Sequence, residues 1–364
     1  MRARRLVSSG PAVSLLAAAA ALVVSSLLST AVGASPGSAL AEIWRGAFGT
    51  EYQVGVTLTK ALPLVLVALG FTIALRAGVF NIGLEGQLYA GGLAAALVGA
   101  HVHANGALVV PLCILAAGLA GAAWALLPAV LKLSRGVNEI VSSLLLNYVM
   151  IFLVNYLIGG PLKDGSAIYP QTPPIEDEAH LAVLVSGTKI HAGIFVALIA
   201  ALLVWVVLAR TTIGFEMGTA GASERVARYV GIDVRRTTLV AFLASGALGG
   251  LAGAVEILGN QFRLLQSFSP GWGYTGIAVA LLGGATAWGC VLAGLYFGVL
   301  GSGADQLQFK LGVPSSFVLI VQALAVLLVL ASEWLRDLAG RRHAARRARR
   351  RVEEHALRPE GADP

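Results

Sequence analysis

The chain has 364 residues, 57% of them hydrophobic and only 12% charged, with a formal net charge of +7. Soluble domains carry about 25% charged residues and unfolded segments need low hydrophobicity, so a soluble globular enzyme and a disordered chain are both excluded. In a membrane protein the basic excess reports which side of the bilayer each loop occupies.

A membrane-crossing helix needs about 20 mostly apolar residues. Apolar runs near 13–32, 59–75, 79–98, 107–131, 140–158, 192–209, 238–258, 274–284, 289–302 and 316–332 predict an all-α polytopic membrane protein of about ten transmembrane helices. The eighth and ninth runs are short and glycine-rich, so one bent hairpin, and a count of eight or nine, are the alternatives. The first run follows Arg2, Arg4 and Arg5 as a signal peptide would. Its length exceeds a signal's apolar stretch of roughly 7–15 residues, which favours a retained helix. The expected organisation is a cytoplasmic N-terminus (1–12), a transmembrane domain (13–334) and a basic cytoplasmic tail (335–364). Assigning alternate loops to the cytoplasm places 20 Lys and Arg inside and six outside, which puts both termini in the cytoplasm.

Polar residues interrupt this apolar pattern in a few places. Between the second and third runs lies Arg76-Ala-Gly-Val-Phe-Asn81-Ile-Gly-Leu-Glu85-Gly-Gln87. An uncompensated acid deep in a helix costs roughly 2.5–3.5 kcal/mol on insertion scales. Gly83 and Gly86 would let the backbone unwind, with Asn81 and Gln87 satisfying the freed amides. The segment reads either as a helix break lining a solute path or its gate, or as a cytoplasmic turn with Glu85 near water. Asn138 is placed to cap the fifth run, with Glu139 at its positive end. Asn147 lies deeper and must bond to another helix or to a ligand. Glu256 falls near the outer end of its run, within expected reach of water.

Gly246, Gly249, Gly250 and Gly253 form two overlapping GxxxG pairs, and Gly91, Ala95 and Gly99 a similar ridge. Such residues let helix backbones approach closely in lipid. Cys113 and Cys290 sit inside apolar runs and read as small buried hydrophobes. His101 and His103 share an outer turn without a third ligand, so no metal site is expected. The outer loop 159–190 is long enough to receive a soluble partner, with a plain solvated loop as the alternative.

In the basic cytoplasmic loop 210–236, Ser223 precedes Glu224-Arg225-Val226-Ala227-Arg228-Tyr229-Val230, and Gly231 follows. That is an N-cap, two helical turns and a glycine stop. Val226, Tyr229 and Val230 share one face, suited to the bilayer surface or to a groove on a partner. No lysine follows a glycine anywhere in the chain, so a P-loop is absent, and if ATP drives any transport here another chain must bind it.

Four stretches together resemble the permease subunit of an ATP-binding-cassette importer, in the nucleoside and simple-sugar group of the ribose and branched-chain amino acid permease superfamily. They are the run from Phe80 to Gln87; Gly136 to Val141 with Leu146-Asn147-Tyr148 and Gly160 to Asp164; Gly214-Phe215-Glu216 through Ile232 to Leu248; and Gly276 to Gly283. The resemblance implies a helical bundle used as a dimer on two ATPase chains, fed from outside by a substrate-binding protein. It favours a heterodimer with a second permease, implies cell-membrane localisation, and makes 210–236 the coupling loop. ATPase contact then falls to Ser223, Glu224, Val226, Tyr229 and Val230, and the path or gate to Asn81, Glu85, Gln87 and Asn147. This chain departs from the family's pattern at Gly218, at Ser223-Glu224 and at the turn from Gly284 to Gly289.

The expected function is ATP-driven uptake of nucleosides or related sugars by alternating access, with no catalysis and no cofactor in this chain. Ribose-type sugars or branched-chain amino acids are the alternative solutes, and an ion-coupled transporter using Glu85 is the alternative class. Residues 335–364 supply nine basic and five acidic residues, an excess of four. That cluster suits anionic lipids of the inner leaflet. Nucleic acid is not an expected partner.

Overall fold

The computed structural model describes residues 35–312 together with Ile320, Ala323, Leu324 and Leu327. The N-terminus, the expected first span, the rest of the expected last span and the basic tail lie outside the described residues. Eleven α-helices occupy the described part: α1 (Pro36–Phe48), α2 (Glu51–Arg76), α3 (Leu84–His101), α4 (Gly106–Arg135), α5 (Glu139–Gly159), α6 (Gly193–Arg210), α7 (Thr212–Ala222), α8 (Glu224–Tyr229), α9 (Val234–Glu256), α10 (Trp272–Leu282) and α11 (Ala287–Leu311). Six of them are long and apolar enough to cross a membrane: α2, α4, α5, α6, α9 with the turn that extends it, and α11. The fold is thus an all-helical, multi-spanning bundle.

The helix ends follow local chemistry. Thr50, Asn105, Asn138, Asp233 and Thr286 each cap a long helix by accepting a backbone N–H. Helix α4 ends in a left-handed Gly136, where the Val137 N–H reaches back to the Leu131 carbonyl and so satisfies an orphan acceptor.

Helix α2 is the axis of the bundle. It is apolar on every side, and a helix of that kind must be surrounded. Helices α6, α9, α10 and α11 pack around it, and from Ala61 to Leu75 every residue is buried. Helix α9 lies between α4 and α3, and its four glycines serve two partners. Gly246 and Gly250 press on the backbone of α4 at Gly121 and Ala117, while Gly249 and Gly253 face α3 at Gln87, Leu88 and Gly92. Gly91 of α3 also abuts Gly250, whereas Gly99 meets Ile175 of the outer loop, so the Gly91–Gly99 ridge is shared between two neighbours. Cys113 and Cys290 are buried and free.

Several expectations are corrected. The ninth run is not short: α11 has 25 residues. The eighth run is the 11-residue α10, a separate helix joined to α11 by a turn that leaves Gly283 and Gly289 backbone to backbone. Helices α1 and α7 were not expected, because neither carries a long apolar run. The outer loop is not a plain solvated one. Thr172, Ile175 and Leu181 donate backbone hydrogen bonds to Leu264, Phe262 and Leu258, and the Glu176 N–H bonds to the Gly99 carbonyl. These bonds, with Ile175, Ala179 and Leu181 buried, tie it to the ends of α3 and α9.

Candidate functional site

The break between α2 and α3 gathers the polar residues expected there. Helix α2 stops at Arg76, and the chain turns through Gly78, whose φ of +76° and contact with Gly221 suit only glycine. Asn81 is fully buried. Its Nδ2 donates to Gln87 Oε1 (3.0 Å) and to Ser245 Oγ of α9 (2.9 Å), while its Oδ1 accepts from the Gly83 N–H (3.0 Å) and Gln87 Nε2 (3.1 Å). The Asn81–Gln87 pair closes on itself and also satisfies the start of α3.

Asn147, from the middle of α5, completes the break from the other side. Its Oδ1 accepts from the Gly86 N–H (2.8 Å), and its Nδ2 donates to the Ile82 carbonyl (2.8 Å) and the Tyr274 hydroxyl (3.2 Å). It is an interhelical strut joining α5, the α2–α3 turn and α10. The Ile82 N–H is taken by Ser143 Oγ (3.2 Å). The indole Nε1 of Trp124 faces the same place, close against Gly86, and is buried without a hydrogen-bond partner.

Glu85 is 2% exposed, which rules out the reading that placed it near water. Its carboxylate reaches across the bundle and accepts the Gly273 N–H in the first turn of α10. The Ser269 hydroxyl and Gly271 N–H also face it. Ser269 Oγ in turn accepts from the N–H groups of Gly271 and Trp272. Unpaired N–H groups at a helix start carry partial positive charge, so α10 begins on a carboxylate supplied by α3. Sequence reasoning placed Asn81, Glu85, Gln87 and Asn147 together and missed Ser143, Ser245, Ser269, Tyr274 and Trp124. The missed residues lie far along the chain, where no spacing rule reaches.

Glu256 is also 2% exposed, against expectation. After it the chain makes a π-turn, Ile257–Gln261, which ends at a left-handed Phe262. That turn folds Asn260 Nδ2 (2.6 Å) and Gln261 Nε2 (3.0 Å) back onto one carboxylate oxygen. Beside it, His191 is 1% exposed and packs on Gly259. Its Nδ1 accepts the Gly193 N–H (3.2 Å), and burial pushes its pKa down to about 4.

At the opposite end of the bundle, Ser223 caps α8 by accepting the Val226 N–H (3.4 Å), and Gly231 stops it with a φ of +83°. Glu224 pairs with Arg228 at 3.1 Å. Ala227 packs inward with Ala220 and Val234, leaving Val226, Tyr229 and Val230 exposed on a small platform. Among the described residues no group of three or more His, Cys, Asp or Glu is placed to hold a metal.

Six apolar helices long enough to span a bilayer, joined by buried polar groups, define an integral membrane bundle. Residues 54–330 match the family described as the permease component of branched-chain amino acid transport systems, and the chain belongs to it. It is a multi-pass protein of the cell membrane and a non-catalytic transport subunit. It is 38% identical to a glucose ABC transporter permease of Haloferax volcanii, over 87% of this chain and 86% of the relative. It is 36% identical to a guanosine ABC transporter permease of Bacillus subtilis, over 90% of this chain and 95% of that one. A nucleoside ABC transporter permease of Lactococcus lactis is 29% identical over 89% and 91%.

Proposed function

We propose that this chain is the membrane-spanning subunit of an ATP-driven importer that brings nucleosides into the cell by alternating access. The observation that carries the reading is the 36% identity to a guanosine permease over nearly the whole of both chains. A second solute class, sugars, is favoured by the 38% identity to a glucose permease. Family membership sets aside the ion-coupled alternative for Glu85.

The solute passes beside the buried crossing of Asn81, Glu85, Gln87 and Asn147, which acts as the gate between α3, α5 and α10. An ABC ATPase docks on the cytoplasmic end through Val226, Tyr229 and Val230, with Ser223 and Glu224 fixing the start of that short helix. A substrate-binding protein delivers solute on the outer face over 159–190, and a second permease chain, different from this one, completes the path. Both termini lie in the cytoplasm, where the basic tail meets anionic lipid.

Reconstitution with the ATPase tests this reading. ATP supports uptake of labelled guanosine by the complete complex, and a proton gradient imposed on this chain alone does not. Uptake driven by the gradient without an ATPase would overturn it. Val226→Asp with Tyr229→Asp abolishes co-purification of the ATPase while membrane insertion stays intact; normal co-purification would remove the docking role.

A further inference from the structure

The outward faces of the long helices are not alike. On α4 the exposed large residues are aliphatic along the whole length, among them Leu115 and Leu119. On α6 the aliphatic residues hold the middle and the aromatics, Phe195 and Trp205, lie nearer the ends. Both patterns suit lipid, where aromatic residues gather at the interfaces. Helix α5 breaks the pattern. Tyr148, Phe152 and Tyr156 recur at every fourth residue and are 51%, 67% and 71% exposed, set among the exposed Leu145 and Val149 of the same face. Tyr148 is the tenth of the helix's 21 residues, which is mid-membrane depth.

Its hydroxyl has no hydrogen-bond partner among the described residues. In hydrocarbon an unsatisfied polar group is expensive, so the position of Tyr148 does not suit bare lipid. Tyr274 of α10 stands beside it, half in view, with its hydroxyl bonded to Asn147. The aromatic face is therefore continuous with the buried crossing at the α2–α3 break.

We infer that Tyr148 and Phe152 of α5, with Tyr274, form a wall of the solute path, presenting ring faces on which the base of a passing nucleoside stacks. The inference rests on the nucleoside reading above and assigns its contacts. Aromatic faces accept any planar base without reading its edges, and the phenol hydroxyls offer a partner for ribose oxygens.

Thiol accessibility in the assembled transporter tests the wall separately from the solute. Cys113 and Cys290 are both buried, so the unaltered chain gives a low background. Tyr148→Cys and Phe152→Cys are compared with Leu115→Cys and Leu202→Cys, using a charged, membrane-impermeant methanethiosulfonate. The expected result is modification at least tenfold faster at 148 and 152, slowed severalfold by saturating guanosine. Rates as slow as at 115 and 202 would overturn the wall. Fast modification unaffected by guanosine, in a complex that takes guanosine up, would overturn the stacking. Failure of the unaltered complex to take up guanosine counts against the nucleoside reading and not against the wall. As a second measurement, Tyr148→Leu raises the KM for guanosine about tenfold and Tyr148→Phe restores most of that loss. Equal KM values for the Leu and Phe variants would also overturn the stacking.

Discussion

Two glutamates are buried to the same degree in this bundle, and they are satisfied in opposite ways. Glu256 takes its hydrogen bonds from Asn260 and Gln261, four and five residues further along the same chain segment. Glu85 takes its own from Gly273, 188 residues away, at the start of a different helix. A carboxylate served locally travels with its partners whenever its helix moves. One served by another element holds only while the two elements stay together. The Glu85 crossing thus joins two separate helices, whereas the Glu256 one closes within a single chain segment.

Uptake is the sharpest way to break that contrast. Both bonds to Glu256 land on one oxygen, so Glu256→Gln keeps them, and ATP-driven uptake is expected to stay within about twofold of the unaltered chain. Glu85 meets several donors at once, and a Gln amide would turn one N–H against them. Uptake by Glu85→Gln is expected to fall at least tenfold; a fall as small as that of Glu256→Gln would erase the distinction. Loss of one buried bond costs about 1–3 kcal/mol, so thermal unfolding in detergent should register the same order.

The effect of acid is smaller and one-sided. His191 is neutral in the fold, with its pKa lowered from 6.5 to about 4 by burial. Its contribution is fully present above about pH 6.5 and is lost as pH falls towards 4, because only the unfolded chain takes up the proton. The loss is on the order of 3 kcal/mol. Between pH 8 and pH 5 the protection factors, taken against the intrinsic exchange rate at each pH, should fall at residues 257–261, against which His191 packs, before they do at 81–87. A fall at both places together would mean that the two crossings do not open separately.

Smallest of all is the coupling energy itself. A double-mutant cycle of Glu85→Gln with Ser269→Ala should give a coupling of about 1 kcal/mol. The cycle of Glu256→Gln with Asn260→Ala should give less, since Gln261 still serves the same oxygen.

What sequence reveals here follows from range. Asn138 and Ser223 were legible as caps because a cap and its N–H lie within three residues of each other. The pairing of Asn81 with the amide of Gly83 was legible for the same reason. Gly273 as the partner of Glu85 was not, since nothing at Gly273 marks it except the absence of a side chain. Glu256 was misjudged because its depth was taken from the end of an apolar run, and the π-turn that buries it has no apolar signature. The glycine pairs of α9 announced close packing, but which row meets which neighbour depends on a helix rotation that only the fold supplies.

Those two rows bring α9 backbone to backbone with α4 at Gly246 and Gly250 and with α3 at Gly253, while Gly249 meets the side chains of Leu84 and Gln87. Dispersion contacts of this kind are steep: a gap of 0.5–1 Å already forfeits about a quarter to a half of the attraction. Interdigitated leucines can follow a receding neighbour by changing rotamer, and bare glycine cannot. The seams on either side of α9 therefore behave as latches rather than springs, gripping at full contact and letting go within about an ångström.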